Sequence, residues 1–208
     1  MTIATRKERQ KEELRAKILQ HARELFIERG YEETSIRNIA ERIEYSPTTI
    51  YLYFKDKDDI FYALHQEGFA LLNQYFRPLA NVEDPFERLK AISKAYVRFA
   101  LENRELYDLM FISDKPMNAI CKEGDKEWDE GQKSFGALVQ TVTECIDKGY
   151  FKGMDPETLS FTLWAMVHGV SSLEICGRCS VLTEERQTGL ADRATRVVVE
   201  MLDRMHPR

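Results

Sequence analysis

An all-α fold, a three-helix head followed by a larger helical body with about nine helices in all, is what three features of this 208-residue sequence predict. Apolar residues recur at spacings of three and four along most of its length, which places them on single helical faces. Capping residues and Pro stand where those stretches begin, and Gly30 and Gly149 stand where two of them close. No stretch sustains the alternation of a β-strand.

Residues 1–10 are polar and charged and read as a flexible arm. A helix follows over 11–29, with Leu14, Ile18, Ala22, Leu25 and Phe26 as its apolar stripe and Gly30 as its stop. Thr34 or Ser35 then caps a short helix carrying Ile36, Ile39, Ala40 and Ile43. Only Glu44 and Tyr45 separate it from Ser46-Pro47, a capping Ser followed by Pro at the first helical position. The helix so opened holds Ile50 and Phe54 on its inner side. Two short helices joined this tightly form a helix-turn-helix, whose second helix fits the DNA major groove. Its outer side carries Pro47, Thr48, Thr49, Tyr51 and Tyr53, and Lys55 follows at its end. Hydroxyls, methyls and one cation suit a groove surface better than a core.

Asp56 caps a fourth helix over 57–76, with Asp58 and Asp59 in its first turn where the helix dipole favours them, and Pro78 stops it. The head is complete before this helix begins, so the expected division is 1–56 and 57–208. In the body, Pro85 opens a helix to 102 (Leu89, Ile92, Tyr96, Phe99), and a short one covers 105–112. Residues 113–126, with Pro116 and Gly124, read as loop. Helices over 127–148 and from Asp155-Pro156 to Ile175 come next. Thr183–Glu185 caps the last helix, whose stripe is Leu190, Ala194, Val197, Val198, Met201 and Met205.

The net charge is −5, with 43% hydrophobic and 31% charged residues, an ordinary balance for a globular chain. Residues 1–60 hold twelve Lys/Arg and twelve Asp/Glu, so the whole of the net charge falls on the body. Six basic residues (Arg6, Lys7, Arg9, Lys11, Arg15, Lys17) stand against three Glu within 6–17. A basic arm on a neutral head fits a small DNA reader and argues against an architectural protein that coats DNA without sequence preference. The start of the chain has no apolar core of a signal peptide, and the most apolar window, Leu159–Ile175, is too short and too polar for a membrane span. With four Cys and no secretion signal, a reducing cytoplasm is expected and no membrane partner. There is no nucleophile–base grouping, carboxylate pair, phosphate loop or metal-ligand cluster. Neither an enzyme nor a cofactor or metal site is therefore expected.

The head resembles the TetR family of bacterial transcriptional repressors. The residues carrying the likeness are Ile18, Ala22, Leu25, Phe26, Gly30, Thr34, Ile39, Ala40, Ser46, Thr49, Ile50, Tyr51, Tyr53, Phe54, Lys55, Lys57 and Ile60. The run Tyr51-x-Tyr53-Phe54-Lys55-x-Lys57 after a Ser-capped helix is its specific part, and Trp164-x-x-x-His168-Gly169 is similar to a C-terminal motif of some members. The resemblance implies a homodimer that binds a palindromic double-stranded operator. The last two long helices of each subunit would form the dimer interface, and a small-molecule effector in the body would shift the fourth helix and release DNA. Two positions depart from the family pattern. Glu44 stands where the turn usually has Gly, with Tyr45 in place of a smaller aliphatic residue, and Thr48 stands where many members have Gly.

On this reading Thr34, Ser35, Lys55, Tyr51 and part of the basic arm (Arg6, Lys7, Arg9) hold phosphates. Ser46 caps the reading helix, Thr48 and Thr49 meet base edges, and Pro47 offers apolar surface. The reading helix lacks Arg, Asn and Gln, so Arg37 on the preceding helix or dimer symmetry must supplement it. One of Tyr51 and Tyr53 reads equally well as core, and the arm reads also as a solvated tail. In the body, Tyr107, Phe111, Phe135, Trp164 and His168 are the candidate effector contacts, among aromatic residues (Tyr75, Tyr96, Phe99, Trp128, Phe161) that read also as plain core. Cys176-Gly177-Arg178-Cys179 has the spacing of a thiol pair, without the further ligands of a zinc site or the strand-turn-helix setting of a thioredoxin.

Overall fold

The computed structural model describes residues 3–112 and 129–205. Ten α-helices, two short 3-10 turns, one short π-helical turn (Asp108–Ile112) and no strand are found among the described residues. The helices are α1 (Ile3–Glu33), α2 (Ile36–Ile43), α3 (Pro47–Tyr51), α4 (Lys57–Phe76), α5 (Pro85–Glu102), α6 (Arg104–Tyr107), α7 (Asp129–Asp147), α8 (Pro156–Ile175), α9 (Glu184–Gln187) and α10 (Leu190–Arg204). They form two compact units. One holds the chain up to Glu67 and the segment beginning at Leu109; the other holds Gly68–Asp108 and the later helices. The expected loop over 113–126 and Trp128 lie outside the described residues.

In the first unit, Ile18, Leu19, Ala22 and Leu25 of α1 meet Ile39, Ala40 and Ile43 of α2, Ile50 of α3, Phe54, and Ile60, Phe61 and Leu64 of α4. All of these are almost wholly buried. Residues 3–10 correct the expectation of a flexible arm, because the helix already runs from Ile3. From Ile3 to Leu25 there is neither Gly nor Pro, and the run is rich in Glu, Lys, Arg, Gln and Ala. Arg9 and Glu13 pair at 3.2 Å one turn apart. The stop is where it was expected. Gly30 sits at φ 80, ψ 165 and breaks the helical path inside α1, a conformation open to glycine at no steric cost. Tyr31 then turns back onto Phe26 and Phe61, at ring separations of 5.5 and 5.0 Å.

In the second unit α5 lies against α7, α8 and α10, and α8 lies against α7 and α10. Phe86, Leu89, Val142, Cys145, Phe151, Leu163 and Leu202 form its core. Asp84 starts α5 by accepting from the backbone N–H of Phe86 and Glu87 at 2.9 and 3.0 Å, with Pro85 at the first position. Asp155 and Pro156 start α8 in the same way. The last helix differs from its expected form. Thr188 is extended and Gly189 has φ 64, so the chain divides into α9 and α10. The Arg193 guanidinium donates to the Thr188 and Arg186 carbonyls and fastens this break.

Candidate DNA-reading face and the polar core of the body

The turn between α2 and α3 sets the angle of the reading helix. Glu44 takes the left-handed backbone, φ 62 and ψ 40, and its N–H reaches the Glu41 carbonyl at 3.2 Å. The next N–H, of Tyr45, reaches the Ala40 carbonyl at 2.9 Å. These paired bonds are a Schellman ending, which ordinarily recruits Gly. A side chain there costs about 1 kcal/mol. The turn keeps its geometry and bears that cost. Lys17 adds a tie from α1, donating to the Ile43 carbonyl at 3.3 Å with its ammonium 5.5 Å from the Tyr45 ring.

Ser46 caps α3 by accepting from the Thr49 N–H at 3.2 Å, and the Ser46 and Thr49 hydroxyls bond each other at 2.9 Å. Ile50 is fully buried and Phe54 nearly so. Truncating either would cost about 2–5 kcal/mol, so they clamp a five-residue helix that is too short to stand alone. Pro47, Thr48 and Tyr51 are left exposed, Tyr51 by 56%, and Thr49 is half-buried. Tyr53 packs partly against the core. Of the two tyrosines, then, Tyr51 is the surface residue.

Ser35 caps α2 in a reciprocal box. Its Oγ accepts from the Asn38 N–H at 3.2 Å, and the Asn38 side chain accepts from the Ser35 N–H at 3.0 Å. Ser35 and Arg37 are exposed beside Pro47, Tyr51 and Lys57 in one open cleft. Lys57, absent from the expected contact residues, also fixes Tyr31: its ammonium lies 4.0 Å from that ring and donates to the Tyr31 carbonyl at 2.7 Å. Lys55 is exposed at the foot of α3. Thr34 requires a correction. It is 1% exposed, and its hydroxyl is turned inward to the Gly30 and Leu25 carbonyls at 2.8 and 3.2 Å. It ties the end of α1 to the start of α2 and offers no hydroxyl to a phosphate.

The five body candidates divide between the units. Phe111 belongs to the first, and Tyr107, Phe135, Trp164 and His168 to the second. Three of the latter meet through a residue that sequence did not single out, Tyr96. Its hydroxyl accepts from Trp164 Nε1 at 3.0 Å and lies 3.2 Å from both the Tyr107 hydroxyl and His168 Nδ1. Tyr107 is closer still, 2.7 Å from the same Nδ1. Phe135 stands against Trp164 with ring centroids 6.2 Å apart. Burial pushes the Tyr96 hydroxyl up to about 12, raises Tyr107, and lowers His168. At neutral pH the cluster is therefore uncharged. Cys176 ends α8 exposed, and Cys179 is half-buried with its thiol 3.4 Å from Glu174. Burial and that carboxylate raise the Cys179 thiol, opposite to what a reactive thiolate needs.

Residues 18–64 match the bacterial regulatory proteins of the tetR family, and residues 89–198 match the tetracyclin repressor-like C-terminal domain. The chain belongs to the TetR family. This TetR-family chain is a DNA-binding transcriptional regulator and not an enzyme. It is 27% identical over 168 residues to the HTH-type transcriptional regulator HbdR of Aromatoleum sp. (strain CIB), covering 76% of this chain and 71% of that one. The fold is shared with the fatty acid degradation regulator FadR from Bacillus halodurans, at TM-score 0.70, 20% identity and coverages of 89% and 94%. It is shared also with AibR in complex with isovaleryl coenzyme A and operator DNA, at TM-score 0.68, 18% identity and coverages of 90% and 96%. Among the described residues of the regulator, no helix is long and apolar enough to cross a membrane.

Proposed function

We propose that this regulator is a cytoplasmic repressor that binds a palindromic operator as a homodimer and leaves it when a small molecule occupies the body. The observation that carries the reading is α3 itself. A capped helix, anchored by Ile50 and Phe54, presents Pro47, Thr48, Thr49 and Tyr51 outward, with Ser35, Arg37 and Lys55 placed around it for phosphates. Residues 1–56 form the DNA head in this reading, and 57–208 the effector and dimer domain.

The exposed apolar side chains Phe161 and Leu173 of α8 and Val197 and Met201 of α10 support the dimer, since two mutually packed helices with uncovered apolar stripes suit a second copy of themselves. The Tyr96–Tyr107–His168–Trp164 cluster supports the effector site. An uncharged hydrogen-bonding group beside Phe135 suits a carbonyl or thioester on an apolar tail better than a free carboxylate. The coenzyme A thioester held by AibR is of that chemistry, and acyl thioesters head the compounds to test. α4 carries residues of both compact units.

The experiment is a gel shift on palindromic upstream DNA with random DNA as competitor, followed by titration with acyl-coenzyme A thioesters. Preference for one site by a factor of about 10³ or more is expected, with release on thioester addition. Equal affinity for all sequences would overturn the operator reading. Release by none of the thioesters would overturn the effector class alone.

A further inference from the structure

The helical start of α1 carries a second consequence for DNA. Lys7, Lys11, Leu14 and Ile18 lie on one face of α1, at spacings of four, three and four. Ile18 is at the centre of the head core and Leu14 packs at its edge. Continued N-terminally past that edge, the same stripe becomes Lys7 and Lys11. Both line an open cleft with Lys17, Tyr45, Tyr53 and Glu13. Glu13 is engaged by Arg9, and Lys17 is spent on the Ile43 carbonyl. Lys7, Lys11 and Lys17 are all exposed, and Lys7 and Lys11 stand on the α1 stripe that leads into the cleft.

The cleft's position gives it meaning. Tyr45 and Tyr53 bracket α3 in sequence and border the α1 side, whereas Pro47 and Tyr51 border the cleft holding Ser35, Arg37 and Lys57. The short helix is thus flanked by two clefts bearing cations. A helix seated in the major groove, about 12 Å wide, has one phosphate backbone on each side. We propose that the first turns of α1 are a rigid backbone clamp: Lys7 and Lys11, beside Tyr45, hold phosphates of the strand opposite to the one met by Ser35 and Arg37. The proposal rests on the reading of α3 as the groove helix. It adds that the N-terminal basic run acts from a fixed helical frame and not as a loose polycation. Tyr45 then has a use at its exposed turn position, since it lines the same cleft as the two lysines.

The test is the salt dependence of binding to the operator and to random DNA. Lys7→Ala/Lys11→Ala should lower the slope of log K against log salt by about two for each head engaged, with preference for the operator kept. Both side chains are exposed, so circular dichroism and melting should match the parent. Gln10→Pro retains every charge but interrupts α1 between the two lysines, and should lose a similar part of the slope. A full slope in the double alanine variant overturns the clamp. A full slope in Gln10→Pro overturns the fixed frame and returns the run to a flexible tail. Absence of operator preference in the parent, with the slope loss still present, would overturn the reading of α3 and leave a non-specific phosphate grip.

Discussion

The Tyr107 hydroxyl lies 2.7 Å from His168 Nδ1 in the body, and the Tyr96 hydroxyl lies 3.2 Å from the same nitrogen. One imidazole nitrogen therefore meets two phenols, one of which also receives the Trp164 indole N–H. Buried polar groups are tolerated only when paired, so this cluster has high stakes for stability and, on the proposed function, for effector binding.

Tyr107→Phe removes the shorter contact while keeping the ring. Leaving a half-buried polar group short of its partner costs about 1–3 kcal/mol. Urea denaturation should register that loss with an unchanged m-value, and the thioester affinity should fall. Stability equal to the parent would mean that Tyr96 alone satisfies His168.

Glu44→Gly should raise stability by about 0.5–1 kcal/mol. Glycine relieves the left-handed strain at φ 62, and the gain is trimmed by the greater freedom of the unfolded chain. The paired bonds from Glu44 and Tyr45 to α2 use backbone only, so the turn and operator affinity should persist. A lower melting temperature would show that the Glu44 side chain contributes more than its backbone costs.

The helix-turn-helix was legible because its signals are local. Ser46-Pro47 caps its own helix, Gly30 stops its own, and Ile39, Ala40, Ile43 and Ile50 announce a core by spacing alone. What was not legible depended on distance or on competing cues. Thr34 looks like a capping hydroxyl, but its partners are carbonyls of the preceding helix, four and nine residues back. The first turns of α1 look like a tail by charge, although their residues are strong helix formers. At Gly189 the apolar stripe runs on and hides a break that only the backbone reveals. Tyr96 becomes a hub through residues 11, 68 and 72 positions away, a relation that no periodicity encodes. The dimer and effector roles came from the family resemblance and not from the spacing of residues.

His65 gives the compact unit that holds the helix-turn-helix an acid limit. It is 1% exposed, and burial pushes its imidazole down to about 4, against a partial rise from a hydrogen bond with the Met110 backbone. The folded protein prefers it neutral, so the unfolded chain takes up the proton first. Stability is full above the ordinary histidine range near 6.5, declines as pH falls from there toward 4, and levels off below. The loss over that window is about 3 kcal/mol by the usual conversion of a pKa difference, and the burial of His168 acts in the same direction. Melting temperatures of the parent and of His65→Gln, measured from pH 7.5 to 4, should converge as the pH drops. Parallel curves would sink the assignment.

Tyr51 and Thr34 separate recognition from architecture within the same head. Tyr51 is 56% exposed on α3, so Tyr51→Ala should leave the melting curve within about 0.5 kcal/mol of the parent and remove most of the operator preference. Thr34 is buried with its hydroxyl on two carbonyls. Thr34→Val keeps the shape but deprives those carbonyls of their donor and should cost about 1–2 kcal/mol. Its operator affinity, measured well below the melting transition, should stay near the parent's because no contact to DNA has been removed. The two variants should thus cross over, one losing affinity at full stability and the other losing stability at near-full affinity. If Thr34→Val lost affinity as sharply as Tyr51→Ala while still folded, the joint between α1 and α2 would itself be setting the pose of α3 on DNA.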